Sequence, residues 1–157
     1  MKTLKRASLV LLAFLFTISL SAQDRMANNV DNSTIHLQGY SPVSYLDLGI
    51  AQKGLKEFKS VHENIVYYFT SVEQKMTFDN NPNKYKPQYG GFCAFGIYAG
   101  AKFRPDPNKF IVKDGKYFLF LYDLNLDAQQ LWLSEHNHNK LVAGATKNWK
   151  KLSLTFN

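Results

Sequence analysis

Lys109-Phe110-Ile111-Val112-Lys113-Asp114-Gly115-Lys116-Tyr117-Phe118-Leu119-Phe120-Leu121 is the stretch that decides the fold class of this chain. Two runs rich in β-branched and aromatic residues flank Asp114-Gly115. That dipeptide favours a two-residue hairpin turn, because both central positions need positive φ. Lys109–Val112 and Lys116–Leu121 are therefore expected to pair as antiparallel strands. A second hairpin is expected upstream, where Glu57–Val61 and Ile65–Phe69 flank Glu63-Asn64.

Around these hairpins the signals are helical. Ser71, with Gln74 three residues on, makes a capping box. The helix it opens carries Val72, Met76 and Phe78 and stops before Asn81-Pro82. Phe92–Ala99 is apolar and is followed by Gly100, a natural helix terminator. After the turn Gly39-Tyr40-Ser41, Pro42 is placed to open a short helix through Leu46. From Leu126 to Leu152 the pattern is helical, with Leu131, Trp132, Leu141, Ala145 and Trp149 on apolar faces and a break around Asn137–Asn139. Thr34–Leu37 reads as a short edge strand. Hairpins alternating with helices predict an α+β fold: an antiparallel sheet built from hairpins, covered by short helices, with a helical C-terminal segment.

The first residues read as an export signal. Lys2, Lys5 and Arg6 precede an apolar run, Leu9–Leu20, broken by Thr17 and Ser19, and small residues follow at Ser21 and Ala22. That is the order of a secretory signal peptide. The run is shorter than the ~20 residues a spanning helix needs, and no later stretch is apolar enough to span. The expected organisation is a signal peptide over 1–22, a polar lead-in and edge strand over 23–37, and one domain over 38–152. The product is expected to be periplasmic or secreted, with no membrane span after cleavage. Signal removal takes three of the 19 basic residues and none of the 12 acidic ones, leaving 16 against 12, a net charge of +4. The remaining lysines are scattered, so no nucleic-acid partner is expected.

Cys93 is the only cysteine, and it sits in Tyr89-Gly90-Gly91-Phe92-Cys93-Ala94-Phe95-Gly96. An odd cysteine in an exported chain points to an intermolecular bridge or a free reactive thiol. The paired glycines allow a tight turn or a close backbone approach. A helix opening near Phe92 would hold Cys93 in its first turn, where unpaired N–H groups and the macrodipole lower a thiol pKa. The competing reading is a small buried hydrophobe. Tyr40, Tyr45, Gln88, Tyr89, Gly90 and Gly91 are the candidate pocket residues beside the thiol. The tyrosines could equally be core residues whose hydroxyls bond to backbone. His136-Asn137-His138 points its two rings apart on a helix, and His36 and His62 have no local partner, so no metal residues are assigned. There is no Gly-rich phosphate loop followed by Lys-Ser/Thr and no Gly-x-Ser-x-Gly elbow.

The order of these residues resembles the exported YHS-domain proteins, a family with selenoprotein members. Gly39-Tyr40-Ser41-Pro42-Val43-Ser44-Tyr45 is similar to the family's Gly-Tyr-Asp-Pro-Val-x-Tyr opening. Tyr68-Phe69-Thr70-Ser71, Phe78, Asn81-Pro82 and Tyr85 resemble its core, and Pro87–Ala94 resembles its Pro-Gln-Tyr-Gly-Gly-Tyr-Cys-Ala block. Asp106-Pro107, Gly115-Lys116-Tyr117 and Ala145 with Trp149 fit its C-terminal extension. Shorter modules of the family carry metal-binding cysteines at positions that match Ser44, Thr70 and Gln74, so the resemblance implies the loss of that site here. It also implies that Cys93 matches the selenocysteine of exported members, a position for nucleophilic or redox chemistry.

Three readings follow. The first is a thiol-based redox or small-ligand-binding protein using Cys93, with an external thiol or redox partner to resolve an oxidised sulfur. The second is a copper- or zinc-handling module in which histidines converge on Cys93. The third is a non-catalytic binding module whose cysteine is packing.

Overall fold

The computed structural model describes residues 27–30 and 34–155. The expected signal peptide and part of the lead-in lie outside the described residues. The Asp114-Gly115 turn forms as its residues dictate, with φ of +53° and +67°. It joins β3 (Asp106–Lys113) to β4 (Lys116–Phe120), antiparallel, with Lys113 opposite Lys116. The Glu63-Asn64 turn also takes two positive φ values, +50° and +61°, and joins β1 (Leu55–His62) to β2 (Ile65–Phe69). The two ribbons are built alike. Each pairs an eight-residue strand with a five-residue one, and each has a register shift near the start of the longer strand.

Among the described residues the strands form three separate two-stranded antiparallel sheets, the third being β5 (Tyr122–Asp123) with β6 (Leu126–Asp127). The fold is α+β. Among the described residues the longer α-helices are α1 (Val72–Asn80), α2 (Ala94–Ala99), α3 (Ala128–Ser134) and α4 (His138–Leu152), and a π-helical turn runs over Ser44–Leu48, after Pro42. Leu126 thus belongs to a strand, and the helical segment begins two residues later, at Ala128. Asp127 accounts for the shift: its carboxylate accepts from the Gln129 and Gln130 backbone N–H groups at 3.1 Å and caps α3. The break before α4 is made by Asn137, whose side chain accepts from the Lys140 N–H.

β4 is the axis of the core because four consecutive residues, Tyr117 to Phe120, are buried. Successive strand residues point to opposite faces. Phe118 and Phe120 join Phe92, Cys93, Ile97, Trp132, Leu141 and Ala145 in the larger cluster. Tyr117 and Leu119 face the other way, onto Leu37 and Tyr45. A third cluster, under β1–β2, is built from Ile65, Tyr67 and Phe69 with Phe78 and Tyr85. α1 enters it through Phe78 alone; Val72 and Met76, expected on its apolar face, are 46% and 59% exposed. The Ser71 cap itself forms, the hydroxyl accepting from the Gln74 N–H. α2 and α4 are tied by Asn148, whose side-chain amide donates to the Ile97 and Tyr98 carbonyls in the last turn of α2.

Each short strand also takes one further partner on its outer edge. Ile35 bridges to Val66 of β2, and Cys93 bridges to Leu119 of β4, both in parallel. His36 and Cys93 are thereby fixed on either side of Gly90-Gly91.

Burial on both faces of β4 sets an expectation for stability. Phe118→Ala should cost about 3–5 kcal/mol, whereas Val112→Ala on the exposed side of β3 should change stability by about 0.5 kcal/mol or less. Urea unfolding of the two variants checks this; equal losses would contradict the placement of β4.

Candidate functional site

The segment before Cys93 has an unusual backbone. Tyr89, Gly90 and Gly91 all have positive φ, at +53°, +59° and +81°. Glycine takes this conformation freely, but Tyr89 pays a steric cost, roughly 1 kcal/mol or more. Its side chain holds it there: the Tyr89 ring packs on Phe118 and Trp149, and its hydroxyl donates to the Val142 carbonyl at 3.2 Å and lies 3.3 Å from the Thr146 hydroxyl.

Gly90 is required for a second reason. Residues 27–30 lie directly over it, and a Cβ at this position would run into the Ala27 carbonyl oxygen. The Asn29 N–H donates to the Gly90 carbonyl at 2.8 Å, and the Asn29 side-chain amide donates to the Gly91 carbonyl at 3.1 Å. The described part of the polar lead-in is therefore docked on the turn. The same Gly90 carbonyl accepts from His36 Nε2 at 2.9 Å. A carbonyl only accepts, so Nε2 carries the proton. Nδ1 is then a buried lone pair with no hydrogen-bond partner among the described residues. Burial, with a smaller push from Lys86, lowers the His36 pKa to about 4 against the bond to Gly90.

Around this junction lies a cleft of about 410 Å³. Ala27 and Asn28 form one rim, Thr146 and Trp149 of α4 another, and Lys86 to Gly90 with Glu63 line the rest. Lys86 and Glu63 neutralise each other, Nζ to Oε2 2.6 Å, and that bond holds the Glu63 carboxyl below its usual range. The volume falls within the range of small-molecule sites, ~300–1,000 Å³.

Of the expected pocket residues, Gln88, Tyr89 and Gly90 line this cleft, and Gly91 is buried just behind it. Tyr40 and Tyr45 are elsewhere. Tyr45 is fully buried, stacks on Tyr117 and donates its hydroxyl to the Pro107 carbonyl at 2.7 Å. Tyr40 stacks on Tyr45 with Lys53 over its ring. Tyr45 is thus a core tyrosine bonded to backbone, and Tyr40 is a partly buried ring packed against it. Trp149, Thr146, Lys86 and Glu63 were missed. Trp149 stood out in the sequence only as an aromatic on a helix face, some sixty residues from Gln88.

Cys93 is 1% exposed and does not line the cleft. It is the N-cap of α2, with its sulfur accepting from the Gly96 N–H at 3.4 Å. The expected lowering of its pKa is corrected. Burial pushes the thiol up, and the N–H groups of Leu121, Gly96 and Phe95 only partly offset it. A thiolate among Phe92, Ile97 and Phe118 loses more hydration than one turn of helix returns.

The histidines do not gather around Cys93 among the described residues. His62 sits beside Glu63 and Phe78. His136 and His138 border a hollow of about 190 Å³ with Lys113 and Trp132, where the Trp132 Nε1–H donates to His138 Nδ1 at 3.1 Å. That bond occupies the lone pair a metal would need. Among the described residues no group of three or more His, Cys, Asp or Glu side chains is placed to hold a metal ion.

Ser44, Thr70 and Gln74, the positions the resemblance pairs with metal-binding cysteines, do meet. The Gln74 amide donates to the Ser44 hydroxyl at 3.0 Å, and the Thr70 N–H donates to Gln74 Oε1 at 3.3 Å. The Ser41 hydroxyl donates to the same Oε1 at 2.7 Å, and the Ser44 hydroxyl donates to Gln52 at 2.8 Å. The donors and acceptors there satisfy one another, and hydroxyl and amide groups suit soft metals poorly.

No protein-family model, no curated protein and no solved structure matches this chain.

The neutral state of His36 makes folding pH-dependent. Its folded pKa of about 4 lies below the ordinary 6.5, so the unfolded chain binds the proton first. The stability is complete above the unfolded value and is lost as pH falls toward the folded one. Between about pH 7.5 and 4.5 the protein should lose about 2–3 kcal/mol more than a His36→Gln variant. Urea midpoints of the two proteins at both pH values measure the difference; parallel losses would contradict it.

Proposed function

We propose that this chain is a small-ligand-binding module of the exported YHS-like kind. Its ligand is held in the cleft beside Gly90, and Cys93 serves packing and helix capping. The observation that carries the reading is the cleft itself, where a strained Tyr89, a glycine with no room for a side chain and a tryptophan from α4 converge. Non-glycine residues held at positive φ cluster at ligand sites, where surrounding structure sustains the strain.

The YHS-like assignment is supported by two features. Gly90-Gly91 and Cys93 form one structural unit, as a contiguous motif requires. Ser44, Thr70 and Gln74 are distant in sequence yet share hydrogen bonds. Copper or zinc is given no role, because that donor set is already paired internally. The burial and raised pKa of Cys93 favour packing over thiol chemistry, since structural buried cysteines are inert.

Two outcomes are expected of the exported chain. In a fragment titration followed by amide NMR, shifts should cluster at Gln88–Gly90, Thr146 and Trp149 and survive Cys93→Ala. Without denaturant, iodoacetamide should label Cys93 about 100-fold or more slower than in the unfolded chain. Rapid native labelling near neutral pH, or ligand shifts centred on Cys93, would restore the thiol as the functional group.

A further inference from the structure

The chemistry of the cleft wall narrows the ligand class. We propose that the cleft takes a short neutral saccharide, its sugar ring laid against Trp149 and its hydroxyls bound by Gln88 and by the Lys86–Glu63 pair. This inference rests on the reading of the cleft as the ligand site.

Four observations support it. The wall has no net charge, because Lys86 and Glu63 form a pair at 2.6 Å. Among the lining residues a phosphorylated or carboxylated ligand would find no unpaired cation, and a cationic ligand no unpaired anion; Lys102, whose Nζ lies 6.0 Å from the Trp149 ring centroid, is bonded to the Thr155 carbonyl. The Gln88 amide and the Trp149 indole N–H make no hydrogen bond to another described residue, although both residues line the cleft. A wholly apolar ligand would strip water from these groups and from the ion pair without replacing their bonds, which is costly. Trp149, half-buried beside Tyr89, supplies an aromatic body with a polar handle. A pyranose has the matching surfaces: an apolar C–H face, and a rim of hydroxyls that both donate and accept. The fourth observation is size, since about 410 Å³ admits a sugar of one or two rings.

The geometry also assigns a positioning role to residues 27–30. Ala27 and Asn28 close one rim only while Asn29 is bonded to Gly90 and Gly91. Gly90→Ala should dislodge this segment and weaken binding, although residue 90 offers the ligand no side chain.

The test is calorimetric titration of the exported chain with cellobiose, maltose and N,N′-diacetylchitobiose. 8-Anilinonaphthalene sulfonate serves as an apolar probe and adenosine monophosphate as an anionic one. At least one disaccharide should bind, with tryptophan emission shifting on binding. Affinity should fall about tenfold or more in Trp149→Ala and in Gln88→Ala, the latter being a half-buried side chain whose loss spares the core. Binding should also vary little up to about 0.5 M salt, as an uncharged ligand requires. Binding of the dye or the nucleotide alone, dependent on Trp149, would overturn the saccharide inference and leave the ligand cleft standing. Binding of no probe by a folded protein, with fragment shifts absent from Gln88–Gly90, would overturn both.

Discussion

The Gly90 carbonyl is the junction on which the rest of the site depends. It accepts at once from the Asn29 backbone and from the buried His36 ring. Those two donors belong to the lead-in and to the bridge on β2, so one oxygen ties both to the turn that precedes α2. The contact is possible because residue 90 has no Cβ; any side chain would meet the Ala27 carbonyl. The cleft is a consequence. Its floor is the left-handed turn from Tyr89 to Gly91, one rim is the docked segment, and the opposite rim is α4, brought near by packing on α2.

β4 carries this geometry into the core. Because it is buried on both faces, Phe118 can hold Tyr89 from one side while Tyr117 and Leu119 seat Leu37 and Tyr45 on the other. Cys93 bridges to β4 at Leu119, and its sulfur caps the helix behind the turn. Burial lets a cysteine do both, and the same burial holds its thiol in the protonated state. The polar knot of Ser41, Ser44, Gln52 and Gln74 has a comparable part under β1–β2, where buried hydroxyls are satisfied by amides.

Much of the fold could be read locally. Asp114-Gly115 needs positive φ and takes it, Ser71 caps α1, and Gly100 ends α2 in the left-handed conformation. Each signal acts within four residues, so the chain itself carries the cause. The site was only half legible. Gly90-Gly91 announced a close backbone approach, but not that residues 27–30 would make it, because a polar segment gives no periodicity to read. Tyr40 and Tyr45 look like pocket residues by composition, yet Tyr45 is needed against Tyr117 and Phe110 in the core. Trp149 belongs to the cleft because α4 crosses α2, a tertiary fact with no local trace. Helix-start electrostatics suggested an activated Cys93, and desolvation by its neighbours outweighs them.

The most direct measurement is hydrogen exchange at the Asn29 amide, followed by NMR in the unaltered chain and in Gly90→Ala. A bonded Asn29 N–H should exchange about 100-fold or more slower than an unstructured peptide, and the variant should abolish that protection while the β4 amides keep theirs. Exchange of Asn29 at the unstructured rate in the unaltered protein would mean that residues 27–30 do not seat on Gly90, and the cleft would lose its closed rim.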